Sequence, residues 1–558
     1  MSDILAAMKL GAPRAALVLG AAAAVVLFAS CSSTTTTAQT SGTPGGTSAP
    51  GLATSSSPTA PSATASPVGA TIIDAPRRAD AQHLTFSYGP IEIKPGQNNI
   101  VISDTNVPKP DVDGYIVGIY PNLKRKDGSV PPVDIIHLHH GVWLNLDKKD
   151  PTSPKLPERF FASGEEKTVT YVPDGYGYPY KTSDKWIINY MLHNLLSSPD
   201  EVSITYDLDF IPATAPAAKT IKSVRPIWMD VQNGSTYPVF DVIKGTGTDG
   251  LITYPTDFKD PYPKAKLNEW TVDRDTTLLA TGGHLHPGGL HTDLYVTRPG
   301  ATATAEAAPS VKGDTAHIFR SEATYYEPAG AVSWDVAMSV TPEDWKVNVK
   351  AGDVISTTAT YDTKRASWYE SMGIMVMWGT DGQVGTDPFT KPVDAKGVLT
   401  HGHLAENDNH GGGTTDKFVD MPKLPNGKSA DTVTIADFAY GPGDMSGIYS
   451  DVPVVRPGQT LKFVNKDAPI GPGIWHTITA CTAPCNNETG VAYPLADADV
   501  QFDSGQLGFG GAPTAERDNW SIPTDLASGT YTYFCRVHPS MRGAFRVTDT
   551  AEGAPATP

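Results

Sequence analysis

The sequence predicts an all-β protein of several sandwich domains, and three observations carry that prediction. Gly and Pro number 52 and 48 in 558 residues, while only 18% of side chains are charged; such a composition favours turns and short strands over helices. Val202, Ile204, Tyr206, Leu208 and Phe210 alternate with polar partners, the period of a strand with one buried face. No long amphipathic stretch at helical period occurs, and Pro342–Lys346 alone suggests a helical turn. The length suits three or four domains of ordinary size. With 60 acidic against 43 basic side chains the formal charge is −17, which argues against a nucleic-acid partner or an anionic membrane surface, since both select clustered Lys and Arg.

The chain opens on Lys9 and Arg14, then an apolar run from Ala15 to Ala29, then Ser30-Cys31. A basic start, a short apolar core and small residues before a cut site make a secretory signal. Residues 1–31 resemble a bacterial lipoprotein signal, and that resemblance implies a lipid on Cys31. The alternative is a secreted protein cut nearby without lipid. Residues 32–73 hold no charged side chain and are mostly Ser, Thr, Ala, Pro and Gly until the final Ile-Ile, so they read as a disordered tether. Its coil dimension is on the order of 35 Å. The expected location is the extracellular face of the cytoplasmic membrane, held only through the lipid, or the medium; either permits disulfides.

Further strand-like runs follow at Ile187–Leu192, Val354–Thr358 and Gly373–Trp378. Residues 386–430, rich in Gly, Asp, Lys and Pro, read as a linker. A new strand pattern starts at Thr432-Val-Thr-Ile435, and residues 548–558 form a tail.

Near the end stands Cys535-Arg-Val-His538-Pro-Ser-Met541-Arg-Gly543, with His476 about sixty residues upstream. One thiolate, two imidazoles and a thioether are the ligand set of a blue-copper electron-transfer centre. Residues 431–547 resemble the cupredoxin family, closest to its amicyanin-type short loops. The resemblance implies a Greek-key β-sandwich and one type 1 copper held by His476, Cys535 and His538 with Met541 axial. Cys481-Thr-Ala-Pro-Cys485 has the cysteine spacing of a binuclear copper site, but Thr489 stands where that site needs a histidine, so a local disulfide is expected. Phe534 and Arg536 flank Cys535, so no His-Cys-His bridge leads to a neighbouring copper.

The chain holds 14 histidines, and several cluster. His137-Leu-His139-His140 precedes His193, and His284-Leu-His286 precedes Met372. Residues two apart on a strand share a face, so His284 and His286 form a ready chelate. Adjacent His139 and His140 would face opposite ways unless a bulge re-aims one. In this order the segments of residues 84–385 resemble the copper type II, ascorbate-dependent monooxygenases. That resemblance implies two jelly-roll-like copper domains, 84–225 and 226–385, and two further mononuclear coppers. His139, His140 and His193 would hold one, with His137 an open alternative. His284, His286 and Met372 would hold the other, which is catalytic in the family; Met375 and Met377 compete with Met372. The family's activity is O₂-dependent hydroxylation of an organic substrate, fed by a redox partner or small-molecule reductant. Gly282 and Val376 stand where the peptide hydroxylases carry an Arg and a Tyr, and no cysteine lies between Cys31 and Cys481. A peptidylglycine substrate therefore does not carry over.

His401-Gly-His403 with His410 offers one more metal set within the linker. His83, His291 and His317 read as ordinary histidines. The expectation is a blue-copper domain feeding a di-copper monooxygenase-like module; the alternative is a non-catalytic copper-binding or electron-carrier protein.

Overall fold

The structure is a computed structural model. It describes residues 77–94, 97–133, 136–194, 198–232, 239–242, 245–257, 268–325, 336–364, 368–399, 421–444, 450–468, 474–481, 501–509, 516–535 and 541–555. The fold is all-β, as the sequence predicts, with short 3-10 turns such as Pro216–Lys219 between strands. Among the described residues no helix is long and apolar enough to cross a membrane. Cys31, the tether, His401, His403, His410, Cys485 and His538 lie outside the described residues.

The sheets occupy three stretches of chain. In the first, one sheet runs Gln82–Ile93, Asp200–Pro212, Gly114–Arg125, Tyr176–Tyr180 and Lys222–Ser223; the other runs Asn98–Ile102, Trp186–Asn194, Ile136–Lys149 and Pro157–Ser163. The alternation through Val202, Ile204, Tyr206, Leu208 and Phe210 puts all five side chains in the core. There they meet the facing sheet, with the Trp143 and Tyr206 rings 5.3 Å apart.

The second stretch holds a twelve-stranded sheet that folds back on itself and a two-stranded one, Phe240–Val242 with Trp368–Ser371. Ile227, Leu278, Met375 and Met377 from one half pack against Leu294, Phe319 and Ile355 from the other. Part of the expected linker belongs here. Phe389 is buried in this core and Val398–Leu399 pairs with Val336–Val340, because its scattered apolar residues find a groove to fill. Pro342–Lys346 forms a turn, Trp345 N–H donating to the Pro342 carbonyl at 3.1 Å. The first two stretches share buried contacts: Tyr178 meets Trp378 edge-on at 5.5 Å, and the Arg159 guanidinium lies 4.6 Å over Trp228 while bonding Asp150 at 2.7 Å.

The third stretch has a five-stranded sheet ordered Asn426–Ser429, Val452–Val455, Arg542–Val547, Gly529–Phe534, Thr479–Cys481. A four-stranded sheet is ordered Ala439–Gly441, Thr432–Ala436, Lys462–Asn465, Asn519–Ser521. Val433, Phe463, Tyr533 and Phe545 fill the space between them. Asn426–Ser429, inside the expected linker, is its edge strand and runs parallel to Val452–Val455.

Candidate metal centres

Ile136–Lys149 and Trp186–Asn194 pair antiparallel with His137 opposite His193. The register slips between Leu138 and His140, so His139 is the extra residue of a bulge, the feature that re-aims one of two adjacent side chains. His137, His139 and His193 are buried together, with ring centroids 5.0 Å (137 to 193), 6.2 Å (139 to 193) and 6.3 Å (137 to 139) apart. His137 Nδ1 lies 2.7 Å from the Val133 carbonyl, which fixes its ring. His140 meets His139 at 5.7 Å but points elsewhere, its Nε2 3.4 Å from Asn189 Oδ1. Burial lowers the pKa of the three histidines on Ile136–Lys149: His137 to about 3, His140 to about 4, and His139 well below its ordinary value, where His286 and its other neighbours add to the effect. Neutral rings keep a lone pair for a metal.

His284 is the penultimate residue of the strand Thr276–Leu285 and His286 follows that strand, rings 5.0 Å apart. Leu285 pairs with Gly373, so Met372 stands opposite His286 just past the ladder. The Tyr361 hydroxyl joins the two: it receives the backbone N–H of His286 and of Met372, each at 3.2 Å, and donates to the Met372 carbonyl at 2.6 Å. Met372 packs with Trp228, Val239 and Ile374, whereas Met375 and Met377 lie deep in the second core. The two histidine groups, read from sequence as separate, are in contact: the His139 and His286 rings meet edge-on at 4.3 Å.

Two carboxylates enter this centre that the sequence did not single out. Glu165 and Glu166 sit on the loop after Pro157–Ser163, both buried. Glu166 Oε2 lies 3.0 Å from His284 Nδ1, and its Oε1 receives the Gly164 N–H at 3.0 Å. A Glu165 oxygen and a ring nitrogen from each of His284 and His286 lie within 4.8 Å of one another. Burial, then the neighbouring Glu166 charge, pushes the Glu165 carboxyl well above the usual range. Beside the centre a cleft of about 40 Å³ is walled by Val142, Ala162, Trp228, Ile374 and Val376 and by the polar side chains of His140, Ser163, Glu166, Thr168, Thr170 and His284.

In the third stretch Cys535 follows the strand Gly529–Phe534, fully buried, and its N–H donates to the Met541 carbonyl at 3.0 Å, which closes the loop between them. Its Sγ lies 3.8 Å from His476 Nδ1 and receives the Thr477 N–H at 3.3 Å. Met541 is buried in the same core. His476 Nε2 lies 2.9 Å from Asp467 Oδ2. Burial opposes the charge on both, but their mutual contact wins, lowering Asp467 to about 2 and raising His476. Cys535 is a free thiol, whereas Cys481 is disulfide-bonded with its partner outside the described residues.

The remaining histidines among the described residues are held by carboxylates. His83 Nδ1 lies 2.6 Å from Asp209, His291 Nδ1 2.8 Å from Asp293, and His317 between Asp293 at 2.8 Å and Asp394 at 3.3 Å.

No family model matches the chain, and no curated protein matches it. Among solved structures the chain is similar to a purple cupredoxin from Nitrosopumilus maritimus, at 18% identity over 21% of this chain and 98% of that one, TM-score 0.14. It is similar to rusticyanin from Thiobacillus ferrooxidans at 20% identity over 24% of this chain and 99% of that one, TM-score 0.14. A Cu-containing nitrite reductase from Thermus scotoductus SA-01 matches at 15% identity over 49% of this chain and 55% of that one, TM-score 0.14.

Proposed function

We propose that this chain is an exported, lipid-anchored copper oxidoreductase. Its third sandwich carries single electrons to the histidine centre between the first two, where a small organic molecule is oxidised with O₂. Cys535, His476 and Met541, with His538, would hold one copper, and the two histidine groups would hold further copper; bound there, copper supplies a one-electron couple at the thiolate and O₂ chemistry at the imidazoles. The residues fit such a load. A buried sulfur facing an imidazole, with a backbone N–H directed at it, favours a thiolate and a soft metal, and neutral buried rings are ready ligands.

The observation that carries the proposal is a hydrogen-bonded connection between the two places. From His476 it passes to Asp467, whose Oδ1 receives the Asp437 N–H at 2.9 Å. The Asp437 carboxylate takes Lys94 Nζ at 2.8 Å, and the Lys94 carbonyl accepts Asn194 Nδ2 at 3.1 Å. Asn194 is the neighbour of His193. Asp467 also keeps the His476 ring fixed, so little reorganises when charge moves. The first two sandwiches contribute the cleft beside the histidine centre.

The test is flash reduction of the copper-loaded full chain, following loss and recovery of the blue absorbance. Asp437→Ala and Lys94→Ala are expected to slow the intramolecular step at least tenfold, and Cys535→Ala to remove the band. Rates unchanged in both connection variants would refute electron delivery by this route. Reoxidation of the blue centre without substrate-dependent O₂ uptake would favour the carrier alternative.

A further inference from the structure

We propose that Glu165 is a metal ligand, completing with His284 and His286 a two-imidazole, one-carboxylate site for a borderline divalent transition ion. The inference rests on metal binding at those two histidines and not on the electron delivery proposed above.

Glu165 is 0% exposed, and neither carboxylate oxygen has a hydrogen-bond partner among the described residues. Burying a carboxyl without a partner costs several kcal/mol in either protonation state. The groups that converge on it are imidazoles, with His284 Nε2 buried and likewise lacking a hydrogen bond among the described residues. Tetrahedral metal–ligand bonds of about 2.0–2.2 Å place ligand atoms about 3.3–3.6 Å apart. A spread within 4.8 Å thus closes onto an ion with side-chain shifts of a fraction of an ångström.

The tandem acids divide the work. Glu166 is engaged by His284 Nδ1 and Gly164 N–H, which leaves Nε2 of His284 for the ion and Glu165 for direct ligation. A carboxylate with two neutral imidazoles balances part of a divalent charge and suits Cu(II), Fe(II) or Zn(II). The tyrosines beside Glu165 are engaged elsewhere: Tyr325 donates to the Gly289 carbonyl at 2.7 Å, and Tyr361 to that of Met372.

The experiment is Zn(II) binding to the full chain by chelator competition, with melting curves of apo and loaded protein, for wild type, Glu165→Gln, His284→Ala and Met372→Leu. Glu165→Gln is expected to weaken one equivalent at least tenfold while its apo form melts no lower than wild type, because a carboxyl with no hydrogen-bond partner among the described residues gives way to an amide of the same shape. Met372→Leu is expected to keep Zn(II). If Glu165→Gln binds as wild type, or melts lower with its zinc-induced shift intact, Glu165 is structural and the proposal falls. If His284→Ala binds as many equivalents as wild type, metal binding at these histidines fails altogether. Loss of an equivalent in His284→Ala but not in Glu165→Gln sinks the carboxylate ligand alone.

Discussion

Glu166→Gln isolates how a carboxylate prepares an imidazole. A carboxylate offers only lone pairs, so His284 Nδ1, 3.0 Å from Glu166 Oε2, carries the proton and Nε2 keeps its lone pair for a metal. The other oxygen receives the Gly164 N–H at 3.0 Å. Glutamine has the same shape but one acceptor and one donor. If its oxygen faces His284, its NH₂ confronts the Gly164 N–H. If it faces Gly164, its NH₂ points at Nδ1, which must then accept, and the proton moves to Nε2 and blocks the metal. Either orientation loses one buried bond or imposes the wrong tautomer, a cost of about 1.5–3 kcal/mol, or roughly ten- to a hundredfold in affinity. Chelator competition with Zn(II) measures it, with the thiolate absorbance of the third sandwich as internal control. Equal affinities for wild type and Glu166→Gln would refute the tautomer argument, and a parallel loss at the thiolate site would show general misfolding.

Three further outcomes follow from the same geometry. A Cβ at Gly164 would sit 2.6 Å from His284 Cε1 and 2.8 Å from the His139 carbonyl, and since the backbone cannot yield, Gly164→Ala is expected to remove metal from His284 and His286 and leave the blue band intact; metal analysis decides. Tyr361→Phe strips an acceptor from two backbone N–H groups and a donor from the Met372 carbonyl, which should destabilise by about 3 kcal/mol in calorimetry and weaken metal binding beside His286. Burial lowers His317, but Asp293 and Asp394 outweigh it and raise its pKa from 6.5 to about 9; its contribution of roughly 3 kcal/mol is complete below about pH 6.5 and lost as pH rises through about 9, so His317→Gln should flatten the melting temperature between pH 7 and 10.

The parts of the molecule legible in the sequence are those whose signal is local. The strand of Val202 to Phe210 shows its buried face by period alone. Cys535 and Met541 stand six apart, and the N–H···O bond between them closes a loop that the spacing already implies. What was hidden depends on pairing. His139 and His140 differ in aim because a bulge falls opposite Met191 and Leu192, and no residue within His-Leu-His-His marks its place. Glu166 meets a histidine 118 positions away, a pairing that no local pattern around the two acids marks. Asp467 was equally silent: its partner His476 carried the metal signal, and the turn held by the Asn465 side-chain oxygen, which takes the Asp467 N–H at 2.9 Å, aims the carboxylate. The expected linker from residue 386 holds packed residues because composition averages over Phe389, Leu399 and Met421, which are buried.

Contact between the two histidine groups changes what their spectra should look like. Independent mononuclear sites would give additive Cu(II) signals. With the His139 and His286 centroids 4.3 Å apart, and a bound ion about 3.2 Å from the centroid of its ring for a metal–nitrogen bond of about 2.0 Å, two ions can be no more than about 11 Å apart if each ring binds one. Spins that close relax each other. Doubly loaded protein should therefore show faster Cu(II) spin relaxation than either His193→Ala or His284→Ala loaded at its remaining group, measured in a Cys535→Ala background so that the blue centre is silent. If the doubly loaded spectrum and relaxation equal the sum of the singly loaded ones, at least one of the two ions lies off these rings, and the contact between His139 and His286 is packing alone.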